Sequence, residues 1–383
     1  MNTIARLKTD MITWRHHIHA HPETAFEETN TTKFIIEKLQ SFGITELYTD
    51  FAPTGVVGII KGNQDGRWIA LRADIDALDI IEENKIEYCS TIHGKMHACG
   101  HDGHTAMLLG TAKYLAEHRD FAGTVVVIFQ PAEENEGGGR VMVENGLFDR
   151  FPIEAVYGIH NQPNMQLNHF YITHGAIMAS YDVFEIKITG LGAHAAAPHL
   201  GKDSILIAAQ IVTGLQSIVS RNTDPLSSLV VSVTQIHSGD TWNVLPQQAV
   251  IRGTVRTLNS QVQDMAETRI KQIATGIAST FEAKAEIDYQ RRYPATINYQ
   301  AQADIAITAA EKVVGQDRLI IDPLPSMGAE DFAFMLQKIP GVYVWLGAGE
   351  GANLHNPAYN FNDEVLTTGV EYFVEIVNQE LGK

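Results

Sequence analysis

The chain is short of cysteine, of basic charge and of long apolar runs, and each shortage removes a class of protein. Among 383 residues only Cys89 and Cys99 carry a thiol. No disulfide framework holds such a fold, and a reducing, cytoplasmic setting is expected. Lys and Arg total 28 against 45 Asp and Glu, a net charge of −17. That balance disfavours nucleic acid and anionic membrane as partners, since both call for basic surfaces. No apolar run reaches the roughly 18 residues of a membrane span. The stretch from Met1 to Glu23 carries Arg6, Lys8, Asp10 and several histidines, without an apolar core of signal-peptide length. A hydrophobic content of 45% with 19% charged residues fits a soluble chain with an ample core. The length points to two domains.

What the chain does have is metal-ligand chemistry in a small space. Met96-His97-Ala98-Cys99-Gly100-His101-Asp102-Gly103-His104 holds three histidines, one cysteine and one aspartate in nine residues. It runs into an apolar helical pattern of Ala106, Met107, Leu108, Leu109, Ala112, Leu115 and Ala116, so the motif sits at a helix start. Cys99 and His101 are one residue apart in a glycine-rich turn and can converge on one point. Thiolate and imidazole are ligands that a borderline-soft divalent metal prefers. Taken alone, such a pair reads more readily as a buried thiol beside satisfied histidines; segments downstream overturn that reading.

Residues 24–42 read as a helix. Gly55 to Gly62 and Trp68 to Ala73 read as a hairpin turning at Asn63-Gln64-Asp65-Gly66. The second strand ends in Arg72-Ala73-Asp74-Ile75-Asp76. A helix is expected from His104 to His118. Gly123 to Phe129 is a β-branched run suited to a strand buried on both faces. It ends in Gln130-Pro131-Ala132-Glu133-Glu134, and Gly137 to Gly139 precede another helix. Ala155 to Ile159 is a strand ending in His160. This alternation predicts an α/β, αβα-layered and mostly parallel sheet. Ligands of such sheets bind beyond the carboxyl ends of the strands, where Asp74, Asp76, Glu133, Glu134 and His160 all fall.

The pattern changes near residue 180. An alternating strand at 184–188 is followed by a helix at 203–220 with Asp203 as its cap. Strands at 228–236 and 247–258, a helix at 260–284 and a strand at 285–292 follow. The order β-α-β-β-α-β predicts a ferredoxin-like α+β unit. It is inserted as a lid domain, 181–293, between the two parts of a catalytic domain, 1–180 and 294–383. The first domain resumes with a helix at 303–314, the motif Ser326 to Phe332, a strand at 342–346 and Leu354-His355-Asn356-Pro357.

Cys99, His101, Glu133, Glu134, His160 and His355 come from four segments that a parallel sheet can bring to one edge. Five ligands and a spare carboxylate suit two metals about 3.5–4 Å apart. Adjacent glutamates past a strand end can be aimed apart, one at a metal and one at the attacking water as general base. A solvated surface turn is the ordinary alternative for such a pair.

Together with Arg15 to Glu23, Leu71 to Leu78 and Gly190 to His199, these stretches run end to end in a family's order. The chain resembles the metallopeptidase family of aminoacylases, carboxypeptidases and dipeptidases. Within it, the chain is similar to the subgroup of hippurate hydrolases, auxin-conjugate hydrolases and bacterial N-acyl-amino-acid amidohydrolases, where Cys-Gly-His-Asp replaces a histidine ligand. The resemblance implies that Cys99 is a thiolate bridging two metals and that His101, Glu134, His160 and His355 complete the ligands. It implies Glu133 as general base and His194 as a lid histidine stabilising the oxyanion, often across a dimer interface. It also implies Asn243, in Trp242-Asn243-Val244-Leu245-Pro246, as a lid residue that reaches substrate. Asp74 stands where other branches have a metal-binding His, Ala193 replaces a usual glycine, and Asp79 replaces a usual proline. Asp102 is expected behind the ligands as an orienting partner. His16, His17, His19 and His21 are expected to pack and to hydrogen-bond.

The expected protein is a metal-dependent amidohydrolase with two divalent ions per subunit. Zinc or manganese is expected, and cobalt or nickel also suits the donors. Its substrate is a small N-acyl amino acid of the hippurate or N-acetyl type. A homodimer or higher homo-oligomer through the lid is expected, with no nucleic-acid or membrane partner. The alternatives are a metallo-carboxypeptidase or dipeptidase acting on short peptides, a cysteine hydrolase using Cys99 and His101, and a non-catalytic binding module on the same fold.

Overall fold

The β-branched run Thr124–Ile128 is apolar on both faces, and the large sheet is ordered around it. The computed structural model describes residues 3–134 and 136–382. The strands that build its two main sheets are, in chain order, β1 (Leu47–Tyr48), β2 (Val56–Lys61), β3 (Gln64–Asp74), β4 (Ala122–Gln130), β5 (Ile153–Gln162), β6 (Phe170–Ile172), β7 (Tyr181–Thr189), β8 (Leu229–His237), β9 (Gln248–Thr257), β10 (Lys284–Tyr293), β11 (Leu319–Ile321) and β12 (Gly341–Gly347). The helices used below are α1 (Thr3–Ala20), α2 (Thr29–Ser41), α3 (His101–Glu117), α4 (Gly138–Glu144), α5 (Ser204–Ser217), α6 (Ser260–Thr280), α7 (Gln300–Val314) and α8 (Leu366–Leu381).

The chain divides into two units. The first comprises the residues up to Gly175, Ile297–Leu324 and Asp331 onward. The second is Ala176–Thr296 with Pro325–Glu330. It brackets the expected insertion 181–293 and takes in part of the Ser326 to Phe332 motif as well.

The sheet of the first unit has the order β1-β2-β4-β3-β5-β12-β6-β11. Its central pairs, β4 with β3, β3 with β5 and β5 with β12, are parallel. Strand β2 is antiparallel to β4. The expected hairpin of β2 and β3 does not form, because β4 lies between them. The link turns over the start of β4 instead: the amides of Gly62 and Asn63 donate to the carbonyls of Gly123 and Arg119, both at 2.9 Å. A strand apolar on both faces requires a neighbour on each side, so β4 takes an inner position.

Side chains alternate across the sheet. Val125, Val127 and Phe129 of β4 join Ile69, Leu71 and Ala73 of β3 and Leu108 and Leu109 of α3 in one core. Val126 and Ile128 are buried on the opposite face. Helices α1 and α8 pack on α3, and α7 packs on α8. The short helices α4 and Phe332–Lys338 pack on each other, on β4 and β5 respectively.

In the second unit the strands run β8-β9-β7-β10, all antiparallel, in the chain order β-α-β-β-α-β. Asp203 caps α5, accepting from the amides of Ile205 at 2.9 Å and Leu206 at 3.1 Å. The stretch Ser204–Asn222 is apolar and long enough to cross a membrane by composition alone. Its Ile207, Ile211, Leu215 and Ile218 are buried with Phe184, Ile186 and Ile251 of the sheet, as in the core helix of a globular unit. Helix α6 stops at Thr280, short of the expected 284, because Glu282 adopts a left-handed φ of 51°.

Candidate metal centre

The carboxyl ends of β3, β4 and β5 open onto one region of the first unit, and the start of α3 faces them. Strand β3 supplies Asp74 and then Asp76, β4 leads into Glu133 and Glu134, and β5 carries His160 near its end. Cys99 and His101 flank Gly100, which precedes α3 with φ 94°. A Cβ there would lie 2.2 Å from Asn161 Oδ1, so this turn admits only glycine. His355 arrives on a loop pinned by its amide to the Ala98 carbonyl at 2.8 Å. It has a left-handed φ of 62°, an uncommon conformation for a residue with a β-carbon.

All six expected residues come together. Cys99, His101 and His160 offer donor atoms within 4.8 Å of one another; so do Cys99, Glu134 and His355, and so do His101, Glu133 and Glu134. Cys99 belongs to two of these groups. Its Sγ is 3.5 Å from His160 Nε2. His160 donates from Nδ1 to the Asn161 carbonyl at 2.6 Å, which leaves Nε2 with a lone pair towards the thiol. His101 donates from Nδ1 to Asp76 Oδ1 at 3.1 Å. Its Nε2 is buried and has no hydrogen-bond partner. Glu134 Oε1 is 3.0 Å from His355 Nε2 yet makes no hydrogen bond of acceptable geometry. Buried polar atoms are rarely left so, and these two are atoms that a cation could take. Thiolate, imidazole and carboxylate together fit a pair of divalent transition metals.

The electrostatics agree with that fit. Burial works against charge on His101, but Asp74, Asp76 and Glu134 raise its pKa to about 10. The same carboxylates would attract a cation, which would displace that proton, since a ligating imidazole is neutral. Burial, followed by repulsion from His104, drives His160 well below the usual imidazole range, which keeps it neutral as a ligand must be. Burial and the carboxylates of Glu134 and Glu133 push the Cys99 thiol well up. Without a cation it stays protonated and is a poor nucleophile.

Two aspartates of β3 and its extension lie behind the candidate ligands. Asp76 accepts from His101 with one oxygen and from the Glu134 amide with the other, at 2.9 Å. Asp74 is held by Arg72 at 2.8 Å and by His104 Nδ1. Arg72 also reaches Asp331 at 3.0 Å, and Asp331 in turn accepts from Gln130 and the Gly139 amide. The backbone amide of Asp331 lies 3.4 Å from Glu133 Oε1. The orienting role of Asp76 was not read from the sequence, although polar residues at the end of an otherwise buried strand were a usable signal.

Asp102 is placed differently from its expectation. Its carboxylate accepts from Arg15 at 3.2 Å and from His19 Nδ1 at 2.8 Å, and it bonds no candidate ligand. It anchors the start of α3 to α1, and Asp76 does the orienting. His16 bonds Asp363 at 3.0 Å. His17 and His21 are exposed, with the His17 ring stacked on Phe34.

His194 and Asn243 lie in the second unit. The short strand Ala193–His194 pairs with Val244–Leu245, and the Ala195 amide bonds the Asn243 carbonyl at 2.9 Å. His194 accepts from the Ala196 amide at Nδ1, 3.0 Å away. That bond places the ring proton on Nε2, ready to be donated. Both side chains are exposed.

A family profile described as Peptidase family M20/M25/M40 matches residues 70–379. The chain is 41% identical over 369 residues to the N-acetylcysteine deacetylase of Bacillus subtilis (strain 168), covering 96% of each. It is 39% identical over 362 residues to the hippurate hydrolase of Campylobacter jejuni subsp. jejuni, covering 94% of each. Among solved structures, the Bacillus subtilis YXEP protein, described as a dinuclear metal binding peptidase from the M20 family, matches with a TM-score of 0.87. It is 37% identical, with 97% of this chain and 98% of that one covered.

Proposed function

Because the chain belongs to peptidase family M20/M25/M40 and is a metal-dependent amidohydrolase of that family, we propose that it hydrolyses N-acyl amino acids of the N-acetyl or hippurate kind with Glu133 as general base. The observation that carries this reading is the meeting of Cys99, His101, Glu134, His160 and His355 beside Glu133, with His101 Nε2 making no hydrogen bond. The substrates named for the deacetylase and hippurate hydrolase relatives support the substrate class.

In this reading the five residues hold two divalent ions, zinc or manganese, with cobalt or nickel equally suited to the donors. Such ions polarise a carbonyl and lower the pKa of water, to near 7 in the best zinc cases. Glu133 takes the proton of the attacking water and returns it to the leaving nitrogen. Asp76 fixes the His101 tautomer and the Glu134 backbone, so neither reorients during turnover. His194 donates from Nε2 to the developing oxyanion, and Asn243 binds substrate. A Cys99 nucleophile is disfavoured, since burial and nearby carboxylates push its thiol pKa up and the ring nitrogen at hydrogen-bond distance from its sulfur belongs to His160.

The test is a turnover panel after chelation and reloading with each of zinc, manganese, cobalt and nickel. N-acetyl- and N-benzoyl-amino acids are compared with unblocked dipeptides. Metal-restored cleavage of the N-acyl set is expected. Cleavage of dipeptides alone would turn the assignment to a peptidase, and activity insensitive to chelator would remove the metals from it.

A further inference from the structure

Glu28 occupies the position that precedes α2, where an acidic side chain normally accepts the free amides of its own helix. It does not do so here. Glu23 takes that task from outside the helix, accepting from the amides of Asn30 at 3.1 Å and Thr31 at 2.8 Å. Glu28 turns inward and is fully buried. One of its oxygens accepts from the Thr54 hydroxyl and the other from the Ala132 amide at 2.9 Å.

Ala132 is the residue before Glu133. Its φ is 53°, the left-handed region that a residue with a β-carbon avoids unless its surroundings impose it. Its carbonyl is tied as well, accepting from the Gly138 amide at 2.9 Å. The turn at Thr54 and Gly55 lies directly against this segment, since a Cβ on Gly55 would sit 2.7 Å from both the Phe129 carbonyl and the Pro131 ring. A carboxylate taken out of water is costly unless each oxygen is bonded. An apolar side chain would fill the same space at less cost if packing were the whole purpose. The buried carboxyl and the left-handed backbone meet one residue before the two adjacent glutamates.

We propose that Glu28 is a positioning residue for hydrolysis: through the Ala132 amide it holds the left-handed turn that aims Glu133 at the water and Glu134 at the metals. This rests on the function proposed above. Glu28 itself touches neither substrate nor metal. A reacting group displaced by about 1 Å can cost on the order of a hundredfold in rate, so a carboxylate that fixes one backbone turn has leverage on kcat.

The test compares wild type with Glu28→Ala, Glu28→Asp and Glu28→Gln. Each is saturated with the best metal and assayed on the best N-acyl amino acid, with metal content and melting temperature measured alongside. Glu28→Ala and Glu28→Asp are expected to lose about 10- to 100-fold in kcat with two metals bound, and KM should stay within about threefold. Glu28→Gln is expected to retain kcat within about threefold, since its carboxamide oxygen can accept the Ala132 amide and its NH2 group can meet the Thr54 hydroxyl. Should Glu28→Ala fail to fold, Glu28→Asp and Glu28→Gln still decide. Wild-type kcat in Glu28→Asp, or a Glu28→Gln as slow as Glu28→Asp, overturns the proposal. If wild type cleaves nothing in the N-acyl panel, the functional reading falls, and Glu28 is judged on metal affinity. Zinc binding about tenfold weaker in Glu28→Asp supports its role in aiming Glu134, and unchanged binding overturns it.

Discussion

Glu133 and Glu134 are neighbours in sequence with different surroundings. Glu134 has its amide held by Asp76 and one oxygen beside His355, while Glu133 lies near the Asp331 amide. Glu133→Ala is therefore expected to keep two metals and lose at least about a thousandfold in kcat, read by metal analysis and steady-state kinetics. Asp76→Ala is expected to act through the ligands, weakening metal binding about 10- to 100-fold in a competition titration. A drop in kcat at full occupancy with unchanged affinity would assign Asp76 another role. The members of the candidate cluster were legible in the sequence because four separate motifs, each ambiguous alone, carry Cys, His and Glu at expected strand ends. Asp76, Arg72 and Glu28 were less legible. Their roles are hydrogen bonds to residues 25, 259 and 104 positions away, and a single sequence does not display such pairings.

The first helix and the helix that starts the metal motif depend on each other. Buried Arg15 and His19 of α1 close on Asp102 of α3, and His19 Nε2 donates to Glu82 at 3.2 Å. Burial works against the charged imidazole, yet Asp102 and Glu82 raise His19 to about 9. A group whose pKa is raised on folding stabilises fully below its unfolded value of about 6.5, and that contribution is lost as pH rises through about 9. His19→Ala is thus expected to destabilise by about 3–5 kcal/mol near pH 6 and by clearly less near pH 9.5, as measured by urea unfolding. An equal penalty at both values would mean that His19 packs as a neutral ring. At this scale the sequence was readable wherever periodicity ruled, as in β4, α5 and the second unit. It misled at β2 and β3, where an Asp-Gly signal suggested a hairpin and the burial demand of β4 separated the strands. Helices α1 and α8 were not marked in advance: α1 mixes histidine and arginine into its buried face, and α8 is apolar around much of its circumference, with Tyr372, Phe373, Ile376 and Val377 all buried.

Taken whole, the chain is an α/β unit bearing the metal-ligand cluster and an α+β unit bearing His194 and Asn243, with the second inserted in the first. Ile205 and Leu206 of α5, each 48% exposed, and the fully exposed Trp242 are apolar surface on the second unit. Large exposed apolar groups on a soluble unit commonly mark an interface. A homodimer through this unit is expected, and light scattering on the purified chain checks it. Ile205→Asp combined with Leu206→Asp should yield monomers, and a wild-type monomer would contradict the expectation. The acidic balance of −17 fits a protein that gathers cations, but the charge is diffuse. The candidate ligands all lie within a single unit.

The central claim is that five side chains scattered from Cys99 to His355 share two ions. Anomalous diffraction from crystals of the manganese- or zinc-loaded protein tests it most directly. The expected result is two peaks about 3.5–4 Å apart, with Cys99 Sγ within bonding distance of both and His101, Glu134, His160 and His355 around them. A single peak that leaves Cys99 uncoordinated, or peaks outside this cluster, would contradict it.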